Sequence, residues 1–161
     1  MKISTLLETP DNGTYIGCHY DEDAVRLIAR LAKSLDIKDF NPEKLHTTVI
    51  YSSKPGSDHP GFEKETVSGK AKLTGLEIFK SRQGTNVLVV RLDSPFLSSY
   101  HHKFMAEHNY TYDFDEYKPH VTLSYAYYGD EAPALSDEFF GKTLVINELY
   151  YEPLNLNWVN K

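Results

Sequence analysis

Two short stretches with the same His-any-Thr spacing constrain this chain more than any other feature of its sequence. One reads LHTTVIYS and begins at Leu45; the other reads KPHVTLSY and begins at Lys118. In both, apolar and polar side chains alternate, which predicts strands with one face on a hydrophobic core and the other presenting an imidazole and hydroxyls. Two such strands predict one shared site.

The polar faces of these two strands hold the candidate catalytic residues. His46 and Thr48 share a face of the first strand, and His120 and Thr122 share a face of the second. The period of two adds Ser124 to the second face as a candidate substrate contact. On the opposite, core-facing side of the second strand we expect Val121, Leu123 and Tyr125.

The elements around the two motifs recur in the same order. Residues 14–20 predict a strand and residues 22–35 an amphipathic helix, after which the first motif strand follows. Residues 85–92 predict a strand and residues 95–109 a second helix, after which the second motif strand follows. The expected helix N-caps are Asp21 and Ser94. This repeat of element order predicts two similar lobes with a cleft between them.

The segments outside the repeat predict a loop and further strands. Residues 53–65 contain two prolines and two glycines, which indicates a loop and a candidate lid. The remaining expected elements are a strand at 67–80 kinked at Gly75, a loop or short helix at 129–141, a strand at 143–151 and an edge strand at 154–158.

Composition limits the kind of protein. A length of 161 residues suits one domain, 1–161, and 40% hydrophobic with 25% charged residues is typical of a soluble globular protein. No apolar run reaches the roughly 20 residues of a membrane span, and the N-terminus lacks an apolar signal-peptide core, so we expect a cytosolic protein. The net charge of −6 argues against long DNA or RNA as a partner, whereas a small anionic ligand in a local pocket fits.

The residue types that bind metals do not form a recognisable metal motif. Cys18, the only cysteine, is expected to be a small buried side chain of the first strand. The histidines of the second predicted helix lack the spacing of a known metal site and are expected to be solvated; they are His101, His102 and His108. We therefore expect neither a metal nor a cofactor.

Paired imidazoles and hydroxyls suit phosphoryl transfer. An imidazole titrates near pH 6.5, so a pair can hold one neutral and one protonated ring at physiological pH. Either His46 or His120 then takes a proton from the attacking hydroxyl, and the other donates one to the leaving oxygen. Thr48 and Thr122 would stabilise the developing charge. The nucleophile that needs no metal is a ribose 2′-OH beside the scissile phosphodiester.

The paired HTTVIY and HVTLSY strands in duplicated halves resemble the two-histidine (2H) phosphoesterase superfamily. The resemblance implies an α+β bilobal fold: two pseudo-symmetric lobes of antiparallel sheet, roughly 1–80 and 81–161, with flanking helices and a central cleft. The segments TYIGCHY and INELYYEPL most resemble the phage anti-CBASS nucleases, which degrade the cyclic oligonucleotide messengers of bacterial defence. The resemblance also makes the two histidines the acid–base pair and the two motif threonines the phosphate ligands.

Further substrate contacts follow from the same resemblance. A base-stacking aromatic on the first strand would be Tyr15, which shares a strand face with Gly17, where a ligand can approach the backbone closely. A late-strand carboxylate near the nucleotide would be Glu148, the one charge on a face with Leu144 and Ile146. Trp158 either stacks on a base or covers the end of the core.

The expected function is therefore that of a metal-independent phosphodiesterase. Its substrates would be 3′3′-cyclic dinucleotides and cyclic trinucleotides, opened to linear products in the cytoplasm of a phage-infected bacterium, and its expected state is a monomer. One alternative is an RNA-repair enzyme acting on 2′,3′-cyclic phosphate ends, which would show a basic track to the cleft. A second is a sponge that binds the messenger without cutting it, although binding alone does not need two proton-transfer groups.

Overall fold

A computed structural model describes residues 13–54, 59–108, 110–114 and 116–154 of the chain. Trp158 and the edge strand expected at 154–158 lie outside the described residues beyond Leu154. The strands are β1 Gly13–Tyr20, β2 Thr47–Ser52, β3 Lys64–Lys80, β4 Asn86–Asp93, β5 His120–Ser124 and β6 Thr143–Leu154, and the helices are α1 Glu22–Ser34 and α2 Pro95–Glu107. A 3-10 turn at Pro42–Lys44 leads into β2.

All six strands belong to one antiparallel sheet with the order β2-β1-β6-β3-β4-β5. The order is symmetric about the β6–β3 pair, so that β2-β1 on one side corresponds to β5-β4 on the other. The repeat of element order seen in the sequence is therefore present in the topology. The halves 1–80 and 81–161 exchange a strand, because β6 lies beside β1 and β3 beside β4. The fold is a mixed α/β fold, and its division into two lobes stays a prediction.

The two motif strands, β2 and β5, lie at opposite edges of this sheet and nevertheless meet. The hydroxyl of Thr47 on β2 donates a hydrogen bond of 2.9 Å to the carbonyl oxygen of His120 on β5. Each strand pairing contains a register shift, and β-bulges of this kind bend strands and increase their twist. We infer that this curvature brings the edges together and so builds the cleft from both ends of the sheet.

Both helices begin at the caps that the sequence predicts. The Asp21 side chain accepts a 2.9 Å hydrogen bond from Ala24 N, and the Ser94 hydroxyl accepts one of 3.1 Å from Leu97 N. These bonds satisfy backbone donors that a helix N-terminus leaves without partners. Helix α1 packs on β6, and α2 packs on β2 and β3, so the helices cover the sheet's apolar side. Their most buried side chains include Ile28, Leu31, Leu97 and Phe104.

The remaining elements match the sequence with small differences. Strand β3 already begins at Lys64, inside the loop expected at 53–65. Its register shift against β4 falls between Leu73 and Gly75, at the predicted kink. Residues 129–141 contain turns and no helix, and Cys18 is fully buried on β1 as expected. None of the helices in the described residues is long and apolar enough to cross a membrane.

Candidate active site

A cleft of about 420 Å³ lies where the edges of the sheet meet, and all four motif residues line it. His46, the residue just before β2, and Thr48 of β2 line it on one side, and His120 and Thr122 of β5 line it on the other. The sequence predicts that both motifs face one shared cleft, and in the structure they do. Apart from Val87, the other lining side chains are aromatic or basic: Tyr51, Phe79, Tyr112, Phe114, Tyr125, Lys80 and Lys118.

The two histidines are held in the same way. Nδ1 of His46 lies 2.8 Å from the carbonyl oxygen of Lys44, and Nδ1 of His120 lies 2.7 Å from that of Lys118. A carbonyl oxygen can only accept, so each Nδ1 carries the hydrogen. In the neutral ring Nε2 then bears the lone pair, and in the charged ring it bears a proton. Each ring is thus oriented by the backbone two residues before it, with Nε2 left for chemistry in the cleft.

The His120 ring is the more enclosed of the two. The Phe79 ring meets it edge-on, with centroids 4.9 Å apart. Burial lowers the pKa of His120, and the positive charge of Arg91, its cross-strand partner on β4, lowers that pKa further. The hydrogen bond to the Lys118 carbonyl raises the pKa of His120, and so does Glu77, whose carboxylate lies 2.7 Å from the Arg91 guanidinium. The net shift favours the neutral imidazole.

Thr48 is held on both its side chain and its backbone. The Tyr15 hydroxyl is 2.9 Å from Thr48 Oγ1, and the Tyr117 hydroxyl donates a 2.8 Å bond to the Thr48 carbonyl. Burial raises the pKa of Tyr15 well above its ordinary value, so the phenol keeps its proton. The Tyr15 ring also lies edge-on to His46, with centroids 6.3 Å apart. Tyr15 therefore contacts both residues of the first motif, His46 and Thr48.

Side chains and backbone from α2 and the connector after it cover the outer edge of β2. Besides Tyr117 on Thr48, Nδ1 of His101 donates a 2.8 Å bond to the Val49 carbonyl, and the Asp113 amide donates one of 3.2 Å to the Tyr51 carbonyl. The His101 ring stacks on Tyr117 at 4.2 Å. The expectation that His101 is solvated is wrong: it is only 5% exposed, because it serves as a donor to the edge strand. Burial also lowers its pKa.

Glu148 lies on β6, which is separated from β2 by β1 and so lies one strand further from the cleft than Tyr15. Its carboxylate is 2.9 Å from Nδ1 of His19, whose ring stacks on Tyr150 at 4.2 Å. The prediction that Glu148 shares a strand face with Leu144 and Ile146 is wrong. Leu144 and Ile146 are fully buried, whereas Glu148 is partly exposed. The reason is a bulge, since His19 pairs with Glu148 and the next residue of β1 pairs with Ile146, which inserts one extra residue into β6.

The space above Gly17 is filled by protein. A Cβ added to Gly17 would lie 2.7 Å from the Tyr150 hydroxyl and 3.0 Å from the Tyr15 ring. The glycine therefore accommodates the approach of Tyr150, and the open backbone that the sequence suggested for a ligand is not found there. Tyr15 and Tyr150 themselves pack together, with ring centroids 5.9 Å apart.

A second bulge changes the end of the His120 strand. Leu88 pairs with Ser124 while Val89 pairs with Thr122, so β5 carries one extra residue between them. Ser124 is consequently buried and donates a 3.1 Å bond to Asp39 instead of lining the cleft. Tyr125, expected on the core side, is 61% exposed and lines the cleft. A substrate contact at Ser124 stays a prediction.

Several cleft residues were missed by the sequence analysis. Tyr51 and Thr48 line the same cleft although they are three positions apart on β2. In the pairing with β1, Val49 is an extra residue, so the alternation of faces shifts by one between them. Tyr112 and Phe114 come from the connector before β5, whose aromatic content is the signal that could have indicated them. Among the described residues no three His, Cys, Asp or Glu side chains are grouped so as to hold a metal ion.

The fold and the cleft define a mixed α/β protein with a candidate acid–base site at the meeting edges of one sheet. The sequence profile of the anti-CBASS protein Acb1 family matches residues 12–161. The chain therefore belongs to the Acb1 family of anti-CBASS proteins.

Phage proteins of the same name align along almost all of the chain. The anti-CBASS protein Acb1 of Vibrio phage KVP40 is 33% identical over 160 residues, covering 99% of this chain and 97% of the relative. That of Acinetobacter phage Ac42 is 35% identical over 161 residues, covering 98% and 99%. That of Enterobacteria phage T4 is 30% identical over 151 residues, covering 92% of each chain.

Proposed function

We propose that this chain is a 2H-type phosphodiesterase that opens cyclic oligonucleotide second messengers, 3′3′-cyclic dinucleotides and cyclic trinucleotides, without needing a metal. The observation that carries the proposal is the matched pair of histidines. Each donates Nδ1–H to a backbone carbonyl, 2.8 Å away for His46 and 2.7 Å for His120, and each keeps Nε2 for the cleft. Two identically oriented imidazoles suit one proton abstraction and one proton donation.

The lowered pKa of His120 favours it as the general base. A neutral ring with Nδ1–H has its lone pair on Nε2, the atom that accepts the proton of the ribose 2′-OH. The 2′-oxygen then attacks the adjacent phosphorus, and the bond from phosphorus to the 5′-oxygen of the next nucleoside breaks. His46, as the imidazolium, gives its Nε2 proton to that leaving oxygen. The product is a linear oligonucleotide with a 5′-OH and a 2′,3′-cyclic phosphate.

The threonines and lysines of the cleft supply the complementary charge. If the Tyr15 phenol donates to Thr48 Oγ1, the Thr48 hydroxyl hydrogen is free to bond a non-bridging phosphate oxygen, and Thr122 does the same from β5. Such preorganised donors stabilise charge that develops in the transition state. Lys80 and Lys118 line the same cleft. They make it attractive to an anion although the chain as a whole carries −6.

Family membership supports the biological side of the proposal. The phage relatives carry the name anti-CBASS protein Acb1. For this chain we infer an anti-CBASS role, exerted by removing the cyclic nucleotide signal of CBASS in the cytoplasm of an infected bacterium, with the enzyme working as a monomer on a small substrate.

The test is incubation with 3′3′-cyclic GMP–AMP in EDTA, with separation of linear products by chromatography and mass spectrometry. We expect linear products from the wild type and a loss of roughly 10²–10⁴ in rate for His46→Ala and for His120→Ala. His102→Ala, on the exposed side of α2, is the control and should retain full rate.

The same assay separates the alternatives. Tight binding of the intact ring without product would identify a sponge, and turnover restricted to linear RNA with 2′,3′-cyclic ends would identify a repair enzyme. Loss of activity on chelation would remove the metal-free mechanism. A 2′-deoxy substrate must resist cleavage, because it lacks the nucleophile.

A further inference from the structure

A second pocket adjoins the cleft on the far side of the catalytic residues. Its volume is about 340 Å³, and we call it the side pocket. It shares three lining residues with the cleft, namely His46, Thr122 and Tyr125. Other lining residues include Asp39, Asn41 and Lys44, from the segment between α1 and β2. The motif residues His46 and Thr122 therefore stand on the border between two pockets.

The Asp39 carboxylate in the side pocket is held through one of its oxygens, and the other oxygen can accept further hydrogen bonds. Asp39 Oδ2 accepts a 3.1 Å bond from the Ser124 hydroxyl and one of 3.3 Å from the Tyr125 amide. The bulge at the end of β5 creates this arrangement, because it turns Ser124 towards Asp39 and Tyr125 into the cleft. Asp39 Oδ1 is then a charged acceptor on an exposed side chain that lines the side pocket together with Tyr125.

We propose that the side pocket binds a guanine base of the substrate, with Asp39 accepting hydrogen bonds from its Watson–Crick edge beside Tyr125. This inference rests on the proposed function, since it takes the scissile phosphate to lie at His46 and Thr122. A phosphodiester held on the border between two pockets has one nucleoside on each side. One base then enters the cleft and the other enters the side pocket.

The chemistry of the base edges selects guanine. Guanine presents two adjacent donors, N1–H and the 2-amino group, and a carboxylate can only accept. Adenine and cytosine place a lone pair next to their amino group, which a carboxylate repels, and uracil has a single N–H between two carbonyls. The Asn41 amide and the Lys44 ammonium add donors on the same pocket wall, which suit the O6 carbonyl of guanine.

The proposal predicts which of two bonds is cut. In 3′3′-cyclic GMP–AMP the two phosphodiesters differ in the order of their bases, so cleavage gives two distinguishable linear isomers. With guanine confined to the side pocket only one bond reaches the histidines in the productive direction. We expect one isomer to exceed the other by roughly 10- to 100-fold, the range for a hydrogen bond to a charged group.

Asp39→Asn is the informative variant. Its amide oxygen still accepts from Ser124 and Tyr125, while the oxygen facing the base becomes an amino group. We expect this variant to produce both isomers in comparable amounts, and we expect the same of the wild type when inosine, which lacks the 2-amino group, replaces guanosine. The control is Asp36→Asn, an exposed carboxylate paired with Lys38 outside both pockets, which should keep the wild-type ratio.

Each outcome bears on one proposal. No linear product from the wild type overturns the proposed function, and the side pocket falls with it. Product with an isomer ratio that Asp39→Asn and inosine leave unchanged overturns guanine binding at Asp39 alone. Product whose single isomer becomes a mixture in both tests supports the assignment.

Discussion

The hydroxyl of Thr47 donates a hydrogen bond to the backbone carbonyl of His120, 2.9 Å away, and so joins the two edge strands of the sheet between the two His-any-Thr pairs. The same oxygen lies 2.7 Å from the hydroxyl of Tyr20 on β1. Thr47 is itself buried and sits between His46 and Thr48 in the chain. The separation of the two histidines therefore depends on a buried residue that does not line the cleft.

We expect Thr47→Val to damage both stability and turnover. It removes the hydrogen bonds that Thr47 makes with the His120 carbonyl and the Tyr20 hydroxyl, which costs about 1–3 kcal/mol of unfolding free energy. A small displacement of His120 should lower kcat by about 10- to 100-fold. Urea unfolding and steady-state kinetics measure the two effects. Thr47→Ser keeps the hydroxyl and should restore most of both; equal losses in Ser and Val would contradict a role for the hydrogen bond.

The charges behind His120 should move the pH profile in opposite directions. The Arg91 charge lowers the pKa of His120 and the Glu77 charge raises it. Arg91→Gln should therefore shift the acidic limb of kcat/KM to higher pH, and Glu77→Gln should shift it to lower pH. That limb reports the base of the free enzyme. Shifts of the same sign in both variants would show that His120 is not the group that titrates.

Tyr15 offers a way to separate positioning from base stacking. Tyr15→Phe removes the 2.9 Å contact with Thr48 Oγ1 and keeps the ring. If the hydroxyl orients Thr48, kcat should fall about 3- to 10-fold, as expected for one neutral hydrogen bond, with KM unchanged. Tyr128→Phe, which removes an exposed hydroxyl bonded to the Leu35 carbonyl, is the control. A rise in KM alone would instead favour direct contact between Tyr15 and the nucleotide.

Stability should decline in mild acid because burial lowers the pKa values of His101 and His120, and His101 can be tested without altering the cleft. Burial lowers its pKa in the folded state, so the unfolded chain binds more protons in the interval below the ordinary value of about 6.5. The stabilisation is present above that value and is lost as the pH falls through the folded pKa.

Unfolding free energies at pH 7.5 and pH 5 in urea test this expectation. His101→Gln retains an N–H donor for the Val49 carbonyl but cannot titrate, so its stability should depend less on pH than that of the wild type. His102→Gln, on the exposed side of the same helix, removes only the smaller contribution that the His102 charge makes to lowering the His101 pKa, so most of the wild-type pH dependence should remain. If the unfolding free energy of His101→Gln falls between pH 7.5 and pH 5 as much as that of the wild type, another group causes the acid sensitivity.

Local patterns in the sequence predict the elements well, because helix caps and strand periodicity are encoded within a few residues. Asp21 and Ser94 cap the helices as expected, and the two His-any-Thr motifs lie on strands that share a cleft. The order of the strands is set by long-range pairing, which carries no short-range signal. The insertion of β6 between β1 and β3 was therefore not foreseen.

Face assignments failed where the strands bulge. Strict alternation along a strand places Glu148 on the same face as Leu144 and Tyr125 on the core side. In both strands a β-bulge adds one residue, which moves the residues after it to the opposite face. An extra residue is stabilised by its tertiary surroundings, as with Ser124 and Asp39, and these are absent from the local pattern. His101 was missed for a related reason, since its partner, the Val49 carbonyl, belongs to a distant strand.

The covered edge of β2 has a consequence for the behaviour of this protein at high concentration. The carbonyl oxygens of Thr48, Val49 and Tyr51 already accept from Tyr117, His101 and Asp113. An exposed edge strand is a template on which a second chain can add its own strand. Here the three donors, including the Tyr117 hydroxyl that holds Thr48, already occupy these carbonyl oxygens of the β2 edge. Residues that hold the candidate active site thereby protect the same strand from intermolecular β-pairing.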